Sequence, residues 1–283
     1  MMVNPVLRRE AKTTMRSIKI FMAVSLYVAF LAVIAYIYLW GETRWSYASG
    51  FSPQSANGLY TLLGAVHICF ILIITPALTS GSISGERERQ TLDLLLVTKM
   101  SPLSIVSGKL FSSMGLSILL TLAAAPVFSV VLYFGSFSVL GILKLVFYCL
   151  LSSCLIGSIA IYLSSVFKRT VAASVMVYII IGVLCIGTLI AYFVYMTVRM
   201  NISQIQPGGI GSLIILCLNP ILGFLSILGK ETGISIVEDI FSIYGSYISD
   251  KWYILNFYKV NIAVSLAASA LFVTLASKRL KSK

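Results

Sequence analysis

The chain has 283 residues, 59% of them hydrophobic and only 11% charged, with a formal net charge of +12. A water-soluble domain carries about 25% charged residues, so this chain has too few to cover a water-facing surface, whereas a bilayer lets apolar side chains face outward. Its Lys and Arg residues cluster beside long apolar runs, the pattern of membrane topology signals and not of a nucleic-acid-binding face.

The first segment, 1–19, opens on Asn4-Pro5, a cap and first-turn pair. Leu7, Ala11, Met15 and Ile18 then repeat at helical spacing, with Arg9, Lys12, Arg16 and Lys19 on the far side. This predicts an amphipathic basic helix in the cytoplasmic headgroup layer; a charged flank that only sets orientation is the plainer alternative.

Six apolar runs are long enough to cross a bilayer, which takes roughly 20 helical residues: 20–40, 59–80, 111–134, 139–166, 170–198 and 257–277. The first is too long for a signal-peptide core and lacks a small-residue cleavage site, so it reads as a retained span. None of the runs holds an Asp or Glu, and Lys144 and Lys259 lie near span ends where long side chains can snorkel. Trp40, Trp45, Trp252, Tyr253 and Tyr258 form an interfacial belt.

Orientation follows from the basic residues. Arg8, Arg9, Lys12, Arg16 and Lys19 precede the first span; Arg87, Arg89, Lys99 and Lys109 follow the second; Lys168 and Arg169 follow the fourth; Lys278, Arg279, Lys281 and Lys283 follow the sixth. With six spans all of these fall on one side, and the opposite loops carry isolated cations such as Arg44, Lys230 and Lys251. Both termini are therefore expected in the cytoplasm. A further apolar run, 210–228, would reverse the tail if it crossed. Asn219-Pro220 interrupts it, and Pro removes a backbone donor and disfavours helix in the residue before it. The extracytoplasmic region 199–256 is thus expected to contain a re-entrant or surface-lying hairpin broken at Asn219 and Pro220.

The segment 81–110, GSISGERERQTLDLLLVTKMSPLSIVSGKL, holds seven charges. Each would cost roughly 2.5–3.5 kcal/mol at the bilayer centre, so the segment lies outside the hydrocarbon. Glu86 and Glu88 suit the first turn of a helix. Leu92, Leu95 and Leu96 give that helix an apolar edge, and Thr98 and Lys99 end it. Ser101-Pro102 starts the next helix. A short amphipathic helix at about 84–97 is therefore expected between spans 2 and 3, able to dock a soluble partner; a solvated charged connector is the alternative.

GERERQTLDLLLVTKMSPLSIVSGKL resembles the coupling loop of type-2 ATP-binding-cassette permeases, on Glu86, Glu88, Thr91, Leu92, Asp93, Leu94, Leu95, Thr98, Ser101, Gly108 and Lys109. The start, NPVLRREAKTTMRS, is similar to that family's N-terminal interfacial helix, and the six spans with an outer element before the last also fit. Gln90 departs from the pattern, since many relatives have Gly there. The resemblance implies an all-α polytopic membrane protein, a single transmembrane domain over 1–283. It implies a permease subunit, itself no enzyme, that forms the pathway of an exporter with a second copy or a related permease. Glu86, Arg87, Glu88, Arg89, Thr91, Leu92, Asp93 and Leu95 would meet cytoplasmic ATPase subunits, with Leu92 and Leu95 in the ATPase cleft or against the bundle. ATP and Mg would be bound by that partner, in a bacterial or archaeal plasma membrane.

Other features agree with a subunit that draws its energy elsewhere. There is no P-loop: Gly223 to Gly229-Lys230-Glu231 has the wrong spacing and lacks the following Ser or Thr. The spans lack the acids that a proton- or sodium-coupled carrier usually uses. His67, the lone histidine, makes no metal site or nucleophile–base pair. It reads as a hydrogen-bonded residue facing the bundle, with a proton relay or substrate contact as the alternative. The five cysteines show no CxxC pair and read as small buried hydrophobes. Ser153, Gly157 and Gly182 allow close helix approach, within the subunit or between subunits. Two further functions stay open at this point: a scaffold or sensor that anchors a cytoplasmic partner, and an unpowered carrier or channel.

Overall fold

The computed structural model describes residues 18–45, 53–92, 101–134, 139–203, 209–233, 237, 240 and 256–281. The interfacial helix expected over 1–19 lies outside them apart from its last two residues, as do Asp93, Leu95, Trp252 and Tyr253. The described elements are helical: α1 Ile18–Trp45, α2 Pro53–Thr79, α3 Ser84–Glu88, α4 Pro102–Phe134, α5 Val139–Val166, α6 Thr170–Gly182, α7 Thr188–Ser203, α8 Gly209–Leu216, α9 Pro220–Thr232 and α10 Phe257–Lys281. A π-helical turn, Val183–Gly187, joins α6 to α7, so the two make one long rod.

Among the described residues six helices are long and apolar enough to cross a membrane: α1, α2, α4, α5, α6–α7 and α10. At 1.5 Å per residue a 28-residue helix such as α1 or α5 is about 42 Å long, enough for the hydrocarbon core and part of both interfaces. α1 turns Phe21, Leu26, Tyr36 and Ile37 outward, side chains suited to lipid.

Burial concentrates on α5, the centre of the bundle, where Ser153, Gly157, Ser158, Ala160 and Ile161 are buried. A Cβ on Gly157 would stand 2.8 Å from Leu110 Cδ1, so the missing side chain lets α4 and α5 approach. Ser153 donates to Ser117 Oγ of α4 at 2.9 Å. These two small residues therefore serve packing inside the subunit, whereas a Cβ on Gly182 would meet nothing within 4 Å.

The interrupted run is a hairpin of α8 and α9 with its break at Cys217–Asn219. α8 runs back along α7, where a Cβ on Gly211 would meet the Tyr195 side chain. α9 then returns past Gly64 of α2, beside Phe224 and Leu228, and ends with Asn57 Nδ2 donating to the Thr232 carbonyl at 2.9 Å. The hairpin thus enters and leaves at the end of the bundle where α2 begins, with its tip packed inside and not laid on the surface. Asn219 caps α9: its Oδ1 accepts from the amides of Ile221 and Leu222, and Pro220 takes the first helical position.

The tip is tied to three spans. Asn219 Nδ2 donates to the Cys185 carbonyl, inside the π turn, and to Thr188 Oγ1, both at 2.9 Å. Asn261 Nδ2 of α10 donates to the carbonyls of Cys217 and Asn219. Tyr148 of α5 donates its hydroxyl toward the Pro220 carbonyl and Asn261 Oδ1. Backbone groups freed by the break thus find partners within the protein, the condition for irregular backbone at membrane depth.

Candidate coupling site

The loop after α2 lies at the opposite end of the bundle from the open end of the hairpin. It turns at Ser80–Ile83 and forms α3, Ser84–Glu88, a helix of five residues. The single helix expected over 84–97 is corrected here: α3 stops at Glu88. Thr91 N donates to the Glu86 carbonyl at 2.9 Å and Gln90 N to the Arg87 carbonyl at 3.1 Å, the paired closure of a Schellman stop. That stop needs a left-handed residue, and Gln90 supplies it with φ of 57°. Glycine adopts this left-handed conformation without a Cβ penalty, so it is the residue the backbone favours at this position.

Every charge on α3 is turned to a different neighbour. Glu86 pairs with Lys109 of α4 at 2.8 Å, and Lys109 also donates to the Ser82 carbonyl at 2.8 Å. Lys109 is 3% exposed and Glu86 25%, so removing one partner would strand a buried charge, which costs about 3–5 kcal/mol. Arg87 forks onto the end of α5, with Nη1 donating to the Phe167 carbonyl at 3.0 Å and Nη2 to the Ser165 carbonyl at 3.1 Å. The guanidinium fits there because the last carbonyls of a helix lack internal partners and carry partial negative charge. Glu88 sits at the start of α6, where its Oε1 accepts from the Thr170 amide at 2.8 Å and the Thr170 hydroxyl lies 3.1 Å from Oε2. A carboxylate at a helix N-terminus is favoured by the same dipole.

The start of α3 is held as well. Ser164 Oγ of α5 accepts from the amides of Ile83 and Ser84, at 3.0 and 2.9 Å. Leu92 folds back onto the bundle, 6% exposed, in a cluster with Ile83, Val106, Leu110, Ile161, Ala276 and Leu280. Arg89, Gln90 and Thr91 remain exposed at the tip. The second Glu86 oxygen, Oε2, has no hydrogen-bond partner among the described residues. Of the residues singled out in the sequence, Glu86, Arg87 and Glu88 therefore hold the loop to α4, α5 and α6, Leu92 packs beneath it, and Arg89 and Thr91 face outward.

His67 lies within the bundle, 4% exposed. The Tyr27 hydroxyl bonds its Nδ1, and its Nε2 stands 3.2 Å from Thr121 Oγ1, which itself donates to the Ser117 carbonyl at 2.8 Å. A neutral ring carrying its proton on Nε2 satisfies this chain without leftover donors. The ring borders a cavity of about 50 Å³ with Tyr60, Phe128, Cys149 and Phe224. Among the described residues no group of three or more His, Cys, Asp or Glu stands ready for a metal.

The model of a family described as ABC-2 family transporter protein matches residues 42–278. The chain belongs to the ABC-2 transporter family. The match takes in the loop, the hairpin and the whole of α2 to α9, and six apolar helices make this ABC-2 chain a multi-pass membrane protein. Members of the family are the membrane subunits of transporters and work with ATP-binding-cassette ATPases. No curated protein matches the chain.

Several ABC-2 residues that organise the two ends escaped the sequence reading. Asn261 and Tyr148 left a usable signal, a carboxamide and a phenol inside apolar runs, where each must find a partner. Ser164 and Thr170 left none, because a serine or threonine in a span is as often bonded to its own helix.

Proposed function

We propose that the chain is the permease subunit of an ATP-driven exporter, working as a dimer and moved by cytoplasmic ATPase subunits that grip the loop after α2. The observation that carries this reading is the wiring of α3: one five-residue helix sends Glu86 to α4, Arg87 to α5 and Glu88 to α6. A load applied at the exposed Arg89–Thr91 tip would reach three spans at once. Leu92 stays with the bundle. ATP and Mg are bound by the partner. The apolar interior favours a hydrophobic or amphipathic cargo. The termini face the cytoplasm of a bacterium or archaeon.

The reading separates gripping from transmission, and two variants test it. Arg89→Glu changes the tip and is expected to lower the amount of ATPase that co-purifies in mild detergent. Arg87→Ala cuts the link to α5 and is expected to leave the ATPase bound but to reduce permease-dependent ATP hydrolysis in proteoliposomes by about ten-fold, a loss on the scale of one charge-assisted bond pair. A wild-type chain that purifies with no ATPase would sink the proposal. So would an Arg87→Ala complex with unaltered hydrolysis.

A further inference from the structure

The π turn between α6 and α7 is built by side chains. In a regular α-helix the Thr188 amide would donate to the Leu184 carbonyl, four residues back. Here it donates to the Val183 carbonyl, five residues back, and the Thr188 hydroxyl takes the Leu184 carbonyl instead, at 2.8 Å. A hydroxyl has one proton and spare lone pairs. Having given its proton to Leu184, it accepts from Asn219 Nδ2 at 2.9 Å. The same Nδ2 donates to the Cys185 carbonyl. Asn219 is also the cap of α9, at the Cys217–Asn219 break. The two helix interruptions are thus bonded to each other.

Packing divides at the same place. Before the π turn, Val177 and Ile181 of α6 belong to the main core, with Leu63 of α2, Leu120 of α4 and Leu155 of α5. Cys185 still belongs to it, and Leu184 packs against it. After the turn, Tyr192 and Met196 of α7 form a second buried set with Leu213 and Leu216 of α8, and Leu189 packs against that set. The hairpin divides likewise, since Phe224, Ile227 and Leu228 of α9 lie in the main core. Leu222 and Phe257, at the starts of α9 and α10, are where the second set meets the rest. α7 and α8 therefore make one packed body, joined to the bundle through two helix breaks. Two adjacent breaks define a line about which a body can turn while its own packing is kept. Turning strands no backbone group: when the Thr188 hydroxyl leaves, the Leu184 carbonyl can take the Thr188 amide in ordinary α register, as membrane depth requires.

We propose that the Val183–Gly187 turn and the Cys217–Asn219 break form a hinge on which α7 and α8 swing as one body against the bundle, latched by the Asn219–Thr188 bond. The hinge does not rest on an ATPase gripping α3, and its test needs none. Pairs of spin labels are placed on introduced cysteines in the full chain, with the native cysteines replaced, in lipid vesicles and diluted with unlabelled chain. The latch uses only the backbone of Cys185, so it survives that replacement. Ile214→Cys with Leu143→Cys crosses the hinge, from α8 to α5. Ile214→Cys with Val194→Cys stays within the swinging body, and Val175→Cys with Leu143→Cys within the bundle. All four positions are more than half exposed. Thr188→Val keeps the shape of the side chain and removes the latch hydroxyl. It is expected to raise the share of a second, displaced distance in the cross-hinge pair by about five-fold, the effect of about one hydrogen bond, with the other two pairs unchanged. Thr197→Val, which removes a hydroxyl bonded to its own helix at the Phe193 carbonyl, is expected to leave all three pairs as in the wild type. Should Thr188→Val not fold, Asn219→Asp, which keeps the cap of α9 and loses the latch donor, is expected to give the same shift. Cross-hinge distances equal to the wild type in a folded latch variant overturn the proposal. So does a matching change in either within-body pair, which would be general loosening, or the same shift from Thr197→Val. Failure of both latch variants to fold would make the bond a fixed part of the structure and overturn the latch.

Discussion

Gln90 shows how one residue can be read twice. In the sequence it is a departure from glycine; in the structure it holds φ of 57° at the stop of α3. For an L-residue that conformation costs roughly 1–2 kcal/mol, and glycine would return about 0.5–1 kcal/mol of it through its freer unfolded chain. The net gain from Gln90→Gly is therefore about 0.5–1 kcal/mol, with no contact changed. Its expected signature is local: hydrogen exchange at the Thr91 amide, which closes the stop on Glu86, slows by about two- to five-fold. Gln90→Ala has the same backbone cost as Gln90 and is expected to leave the rate as it is. If glycine and alanine slow exchange equally, the left-handed strain is not what limits this turn.

At the scale of elements, the α8–α9 hairpin and the π turn explain each other. A π turn leaves a carbonyl off the regular helical ladder, and the Asn219 amide donates to the Cys185 carbonyl from a helix cap on the other side of the contact. All four bonding positions of that carboxamide are used, two accepting and two donating. Asn219→Asp keeps the accepting half, which caps α9, and loses the donating half. We expect it to destabilise the subunit by about 1–3 kcal/mol, the cost of leaving buried polar groups unpaired. Melting in detergent measures the loss, and faster maleimide labelling of Cys185, 6% exposed in the native fold, locates it. A normal melting temperature with Cys185 still protected would show that the amide is not needed. The break itself was legible, because Asn-Pro inside an apolar run has few other meanings. The element it binds was not: nothing in Val183–Gly187 announces a π turn, since Leu, Cys and Ile there suit an ordinary helix equally well. Likewise the acids of the loop were legible as helix-start residues, but the end of α3 was not. Leu92, Leu95 and Leu96 keep helical spacing past the stop, and apolar periodicity carries no mark of the dihedral angle at Gln90.

At the scale of the whole molecule, the two ends of the bundle differ in what they ask of the membrane. One end gathers α3, the short α5–α6 turn and the tail of α10, with Arg87, Arg89, Lys109, Lys168, Arg169, Lys278, Arg279 and Lys281. The other gathers the open end of the hairpin and the starts of α2, α5 and α10, with Arg44, Lys144, Lys230 and Lys259. The charge rule counts Lys and Arg near span ends and takes little notice of acids, so Glu86 and Glu88 do not blur the contrast. On the proposed reading it would put the α3 end in the cytoplasm, where a soluble ATPase could reach it. The hairpin is what keeps the count even: α8 and α9 are apolar enough to have been a crossing, but the Asn219–Asn261–Tyr148 bonds fold them back. A cysteine at Ser282, against a background with the native cysteines replaced, is therefore expected to resist a membrane-impermeant maleimide in intact cells and to react once the cells are opened. A cysteine at Lys230, at the opposite end, is expected to react in intact cells. Labelling of Ser282→Cys from outside would turn the bundle over, and with it the side from which any ATPase reaches α3. The same pattern, with Lys230→Cys protected, would arise if the hairpin crossed the bilayer, which its hydrogen bonds to α5, α7 and α10 argue against.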